Sequence, residues 1–374
     1  MNFTKTIFSF LILVLITTGM VFLLNNSMNT YRTYSYLANN EIEEKNNLIL
    51  LPSENGLYLG AFADFGPHEN EVTEEKINDF QELIGKKITW AYFSDNWFEG
   101  INFPKEQVEI LQELNIIPYI RLMPRTNFSN QPEEQKYTLE SIINSDFDLE
   151  IENWAKMAKQ TNIPLILEFG TEVNGDWFPW NGRWNGQGQT DPYGDPTLPD
   201  GPEKFIDAYQ HIIDIFHNLE VNNITWVYHI NTLSQPKEPW NDIMSYYPGD
   251  SYIDWIGVSV YGAQNLNEKW IEFNDLFDKT YEKITKTTNK PIAIVEFGAA
   301  EQNEQNKKAE WLNKSLSLIC ENNYPNLKGL SFWHSSWVNK DGTKSNLFID
   351  SSPKALEALR EFSSSDCFTS DPAF

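Results

Sequence analysis

The sequence predicts a (β/α)8 barrel, a closed sheet of eight parallel strands wrapped by helices. Three observations lead there. Eight short apolar, β-rich runs recur between Leu57 and Trp333. Stretches of helical periodicity separate most of them, and strand runs alternating with helical runs specify a parallel sheet covered by helices. The chain has 374 residues, room for one barrel of about 250 residues plus terminal segments. A doubly wound open sheet is the structural alternative. No glycine-rich phosphate loop follows the first run, which weighs against its dinucleotide-binding version.

The elements fall in order along the chain. The strand runs are Leu57–Phe62, Ile88–Phe93, Ile117–Leu122, Leu165–Phe169, Ile224–Tyr228, Trp255–Tyr261, Ile292–Phe297 and Gly329–Trp333. The amphipathic stretches are Glu74–Leu83, Lys105–Leu114, Leu149–Lys159, Pro202–Asn218, Ile271–Thr287 and Asn306–Glu321, with Ser352–Phe362 as the closing helix. The segment Asp176–Gly201 after the fourth run is long and rich in Gly, Pro, Asp and Trp. Loops of that length in compact domains are functional or disordered, and Trp177, Trp180 and Trp184 argue against disorder.

Outside the barrel, Ile7 to Leu24 is nearly unbroken apolar sequence preceded by Lys5. It is short for a membrane span of about 20 residues and long for a signal-peptide core. With no clear A-x-A site, an anchor is favoured over a cleaved signal, and no cysteine follows to carry a lipid. Residues 1–25 are therefore expected to be a signal peptide or membrane anchor, and 26–50 a polar linker. The body is expected to be 51–363, a monomer facing the cell exterior, and 364–374 a flexible tail. Cys320 and Cys367 are too few for a disulfide framework, and whether they pair is left open.

Composition narrows the partners. A formal net charge of −25 repels phosphate backbones and anionic lipid, so nucleic acid is not expected as a partner. Its plain reading is solubility. The 13 Trp are mostly core, but an indole also stacks on the apolar face of a pyranose. No Cys/His spacing forms a zinc site. No cofactor is expected, although a stabilising calcium among the acids stays open.

Active sites of such barrels lie at the carboxyl ends of the strands. Two of those ends carry glutamates. After the fourth run comes Glu168-Phe169-Gly170-Thr171-Glu172-Val173-Asn174-Gly175, and the seventh run ends Ile294-Val295-Glu296-Phe297-Gly298. A carboxylate between Val295 and Phe297 is costly unless paired or useful. A buried ion pair would explain Glu296 alone, and an exposed loop would explain Glu172 alone. Together they fit the two-carboxylate requirement of retaining glycosidases, in which carboxyls about 5–5.5 Å apart act as nucleophile and acid/base.

The stretch Thr171-Glu172-Val173-Asn174-Gly175-Asp176-Trp177-Phe178-Pro179-Trp180 resembles the acid/base motif of glycoside hydrolase family 26, and Lys290-Pro291-Ile292-Ala293-Ile294-Val295-Glu296-Phe297-Gly298 resembles its nucleophile motif. The resemblance covers roughly Leu57 to Trp337. It implies a retaining barrel enzyme with Glu172 as acid/base and Glu296 as nucleophile. It also implies Tyr261 as the hydrogen-bond partner of the nucleophile, Trp177 as the aromatic beside the acid/base, and Trp333 as the floor of a sugar subsite. Family members acting on mannan typically carry His before the acid/base, where this chain has Thr171. That departure leaves the sugar open between β-mannan and β-glucan types.

The remaining candidates for substrate contact are weighed on position. Trp180 shares the long loop with Trp177. Arg121 ends the third run and faces either a sugar or a catalytic carboxylate, with a structural ion pair as the plain alternative. Asn174 either bonds a sugar or fixes its turn. His229 and Asn231 end the fifth run, where a lone His is more often a satisfied core residue than a base. Asp64, His68, Asp95 and Trp97 are weaker candidates at the same face. The expected function is endo-hydrolysis of a neutral β-linked polysaccharide, and the alternative is a non-catalytic polysaccharide-binding envelope protein on the same fold.

Overall fold

A computed structural model describes residues 48–128, 134–266, 268–302, 306–339 and 342–374. The expected anchor and most of the polar linker lie outside the described residues. Within those residues, no helix is long and apolar enough to cross a membrane.

Eight parallel strands close into a barrel. They are β1 (Leu57–Ala63), β2 (Trp90–Asn96), β3 (Ile117–Met123), β4 (Leu165–Phe169), β5 (Ile224–Asn231), β6 (Trp255–Tyr261), β7 (Ile292–Gly298) and β8 (Leu327–His334). Each pairs with its sequence neighbour, and β8 returns to β1 in register from Tyr58 opposite Gly329 to Ala63 opposite His334. The helices among the described residues are α1 (Glu74–Ile84), α2 (Lys105–Glu113), α3 (Leu139–Ile143), α4 (Asp148–Thr161), α5 (Asp200–Asn218), α6 (Phe273–Thr287), α7 (Lys307–Cys320) and α8 (Pro353–Ser363). The expected strands and helices are present within a few residues at each end. The short α3 is an addition. Between β5 and β6 only a 3₁₀ turn at Pro239–Asn241 takes the place of a helix.

Local chemistry sets these boundaries. Thr73 caps α1 by accepting the Lys76 N–H, and Gly85 ends it in the left-handed conformation at φ 70°. Inside the barrel, Trp90 is the wedge between β1, β2 and β8. Its indole donates to Ser331 at 2.6 Å. A Cβ on Gly60 would meet that indole at 2.0 Å, and one on Gly329 would meet it at 2.4 Å. Glycine at both positions is therefore what admits the tryptophan.

Two further strands form a hairpin beyond β8: β9 (Ser336–Val338) and β10 (Lys344–Asn346). The end of the chain corrects an expectation. Residues 364–374 are not a loose tail. Cys367 is joined to Cys320, the last residue of α7, by a disulfide with a Cα–Cα distance of 5.4 Å. Beyond it β11 (Phe368–Thr369) pairs in parallel with Leu57 and Tyr58. The base of β1 has backbone groups that need partners, and the tail supplies them: the Leu57 N–H donates to Cys367 O at 2.8 Å.

The described chain also enters at this base. The Leu48 N–H donates to Asn222 O, just before β5, and the Leu50 N–H donates to Thr225 Oγ1. The mouth formed by the carboxyl ends of the strands is at the other end of the barrel.

The disulfide closes a loop with a sequence separation of 47 residues. Loop-closure entropy on that scale is worth roughly 2–4 kcal/mol. Replacing both cysteines by serine is expected to lower the unfolding free energy by about that amount, measured by denaturant titration. An unchanged midpoint would show that the tail does not brace β1.

Candidate active site

The site is built where β4 stops. Gly170 follows the strand at φ 65°, and two residues on Glu172 takes φ 47°. The first costs little, and a Cβ there would also crowd Phe205 at 2.9 Å and Trp180 at 3.0 Å. The second is a left-handed glutamate, a conformation that costs about 1–3 kcal/mol and persists only where its surroundings impose it. Here the Val173 N–H reaches His229 O, the Trp180 indole donates to Thr171 O at 2.7 Å, and Asn181 donates to Val173 O at 2.7 Å.

That turn delivers Glu172 into the mouth. Its carboxylate accepts from Asn231 Nδ2 at 2.7 Å and from the Trp177 indole at 2.8 Å. Glu296 comes from β7. The β6–β7 register slips there, so that Val258 pairs with Ile294 but Ser259 pairs with Glu296. The extra residue, Val295, re-aims the strand as β-bulges do beside functional sites. Glu296 Oε1 accepts from Arg121 Nη1 at 3.1 Å and from the Tyr92 hydroxyl at 3.2 Å, and Oε2 accepts from Tyr261 at 2.6 Å.

Both carboxyls are buried, Glu172 at 7 % and Glu296 at 5 % exposure. Burial and then the neighbouring Glu172 charge push the Glu296 carboxyl up to about 7, against the pull of Arg121, His229 and the Tyr261 hydrogen bond. The Glu172 charge is thus felt at Glu296.

Arg121, two residues before the end of β3, is ion-paired to carboxylates at the barrel mouth. It bridges Glu296 and Glu69, the latter on the loop after β1. Burial opposes its charge, but Glu69, Tyr92 and Glu296 outweigh that and hold its pKa above the ordinary value. Its guanidinium lies 4.7 Å from the Tyr92 ring centre and 5.1 Å from that of Trp333. Trp333 in turn stacks on Phe62 at 4.1 Å, which leaves it 7 % exposed. The expected subsite floor is therefore a closely packed wall with a narrow open edge.

Several expected contacts lie elsewhere. Trp180 is buried and stacks on Phe178 beneath the loop, because its indole N–H is committed to Thr171 O. Asn174 is buried as well. It accepts from the Asn231 N–H at 2.7 Å and donates to Asn231 O and Ser234 Oγ, so it fixes the turn. Thr171 is fully buried and turned to His229, with its Oγ1 2.7 Å from Nδ1. None of these three offers a surface to a ligand. Trp177 and Trp184 are the loop tryptophans that remain open, at 46 % and 36 % exposure. Asp95 leaves the mouth for the helix layer and accepts from Trp154 at 2.9 Å. Trp97 is buried, while His68 stands exposed on the rim beside Phe98 and Phe128.

Four polar residues close to Glu296 carry no role in the sequence reading: Glu69, Tyr92, Tyr119 and Glu168. Glu168 had a usable signal, a glutamate inside an apolar strand run. Among the described residues, no group of acids, histidines or cysteines forms a metal site.

Comparison with known proteins places this geometry. The profile of Glycosyl hydrolase family 26 matches residues 126–342. The chain is 27% identical over 309 residues to Endoglucanase H of Acetivibrio thermocellus, covering 82% of this chain and 30% of the relative. It is 21% identical over 248 residues to a Beta-1,3-xylanase of Alcaligenes sp., covering 61% of this chain and 45% of the relative. The chain thus spans less than half the length of these curated relatives. Among solved structures it shares its fold with the catalytic domain of the Bacillus sp. JAMB-750 GH26 endo-beta-1,4-mannanase, with a TM-score of 0.60, 17% identity, and coverage of 84% of this chain and 87% of that one.

The raised Glu296 carboxyl has a consequence for stability. A folded pKa of about 7 exceeds the unfolded value near 4.3, so its contribution is fully present below that unfolded value and is lost as pH rises through 7. Glu296→Gln is therefore expected to raise Tm relative to the unsubstituted protein, by more at pH 8 than at pH 5. Scanning calorimetry at the two pH values checks it, and a difference in Tm independent of pH would contradict it.

Proposed function

The chain belongs to glycosyl hydrolase family 26, and we propose that it is an endo-acting, retaining β-glycanase with Glu172 as acid/base and Glu296 as nucleophile. The observation that carries this reading is the convergence of two buried, electrostatically coupled carboxyls from β4 and β7, each held by its own donors.

The donor sets support this division of roles. Glu296 faces a guanidinium and two tyrosine hydroxyls, a surrounding that favours the charged form. Glu172 is held by neutral N–H donors from Asn231 and Trp177 and stands after β4, the position of the acid/base in this reading. In the first step a Glu296 oxygen attacks the anomeric carbon. The glycosidic C–O bond breaks, and the departing oxygen takes the Glu172 proton. In the second, water attacks the glycosyl ester and returns a proton to Glu172, and the ester bond opens to regenerate the Glu296 carboxylate. Trp177 orients Glu172 and its exposed face receives a sugar ring. Arg121 and Tyr261 hold the nucleophile.

The substrate is a neutral polysaccharide. The charge of −25 disfavours a polyanion. The likeness to an endoglucanase favours a β-glucan over mannan. We place the enzyme outside the cell, with the segment before residue 26 as anchor or export signal.

Glu296→Ala is expected to abolish reducing-sugar release from mixed-linkage β-glucan, glucomannan, galactomannan and xylan while the fold persists by circular dichroism. Retained turnover in the folded variant would contradict the assignment. Glu172→Ala is expected to lose polysaccharide hydrolysis by a factor of about 10²–10⁴, yet keep most of its glycosylation rate on aryl glycosides with good leaving groups. Equal loss on both substrates would remove Glu172 from acid catalysis.

A further inference from the structure

Beneath the two glutamates lies an ion pair that the proposed reaction does not itself use. His229 on β5 and Glu168 on β4 have side chains with no solvent exposure, and His229 Nδ1 stands 3.0 Å from Glu168 Oε1. By register they sit below the nucleophile: Asn231, two residues past His229, pairs with Ser259, and Ser259 pairs with Glu296.

Proton bookkeeping makes this pair informative. Glu168 Oε2 accepts from Tyr119 at 2.7 Å. Its Oε1 competes for the single Tyr92 hydroxyl proton, 2.8 Å away, with Glu296 Oε1 at 3.2 Å. The carboxylates of Glu168, Glu172 and Glu296 crowd one barrel mouth, and the Arg121 charge is already divided between Glu296 and Glu69. A buried carboxylate without a counter-charge is strongly disfavoured. Each nitrogen of His229 has an oxygen in reach: Glu168, Thr171 and Tyr92 around Nδ1, and Ser259 Oγ at 2.8 Å from Nε2.

We propose that His229 is held as an imidazolium paired with Glu168, and that this pair is a positioning device for the nucleophile. By meeting the Glu168 charge it leaves the Tyr92 proton available to Glu296 and favours the Glu296 carboxylate. The proposal rests on the reading of Glu296 as nucleophile. The electrostatics agree in direction. Burial disfavours the His229 charge, but Glu168, with Glu296 and Glu172 beyond it, lifts its pKa above the ordinary value. Glu168 lies below the ordinary carboxyl value despite burial, through His229, Arg121 and Tyr119. His229 in turn draws Glu296 down.

Removing the imidazolium takes a positive charge from beneath Glu296 and draws the Tyr92 proton toward Glu168. Both changes raise the Glu296 pKa, so the acid limb of kcat/KM moves to higher pH. His229→Gln is expected to lose about tenfold in kcat/KM for each unit by which the limb moves, below the limb, and little on the plateau. His229→Gln/Glu168→Gln, which removes both charges, is expected to return the limb toward that of the unsubstituted enzyme. A packing role would lower the rate equally at every pH, and that result in folded variants would overturn the proposal. Side-chain ¹⁵N NMR of the unsubstituted protein reads the charge directly. A doubly protonated His229 ring at pH 8 supports the pair, and a neutral ring at pH 7 overturns it. Inactivity of the unsubstituted protein on every glycan would count against the function itself, while the NMR result would still decide the charge state.

Discussion

Two like-charged carboxyls held together out of water is the constraint around which this barrel is arranged. Burial and the neighbouring Glu172 charge both disfavour charge on Glu296. Left alone, such a pair would take up protons or push apart. It is kept by asymmetry: a guanidinium and two phenolic hydroxyls on one side, an amide and an indole on the other. The asymmetry that makes the pair tolerable is the same asymmetry that a two-carboxylate displacement needs.

Two of the scaffold's irregularities serve that pair. The left-handed backbone at Glu172 and the register slip before Glu296 are departures from ideal barrel geometry, and each aims one carboxylate. Loop residues hold these departures in place. Trp180 and Asn181 tie down the carbonyls on either side of Glu172, and Asn174 locks the β4 loop to the end of β5. A strained segment held by packed neighbours is how a fold preorganises reactive groups.

Much of this was legible in the sequence, for identifiable reasons. Strand runs such as Ile292–Phe297 and helices such as Pro202–Asn218 announce themselves by apolar periodicity, and their alternation gives the barrel. Glu296 is conspicuous because a carboxylate inside an apolar run has to be accounted for. The same logic applied to Glu168 would have located the buried pair. What could not be read was side-chain direction. Trp177 and Trp180 stand three residues apart in one loop, yet one is open and the other is turned inward to Thr171 O. Glu69 and Tyr92 come from distant segments that only barrel closure brings to Arg121 and Glu296. The ordered tail was missed because its order comes from the disulfide to Cys320 and the spare backbone groups of β1, neither of which leaves a local pattern.

The central claim is that Glu296 forms the bond to the sugar. The most direct test is reaction of the protein with an activated 2-deoxy-2-fluoro glycoside matched to its substrate, followed by peptide mass spectrometry. The expected result is one glycosyl adduct per chain, on Glu296, formed with loss of activity. An adduct on Glu172 or Glu168, or turnover that never passes through a covalent species, would contradict it.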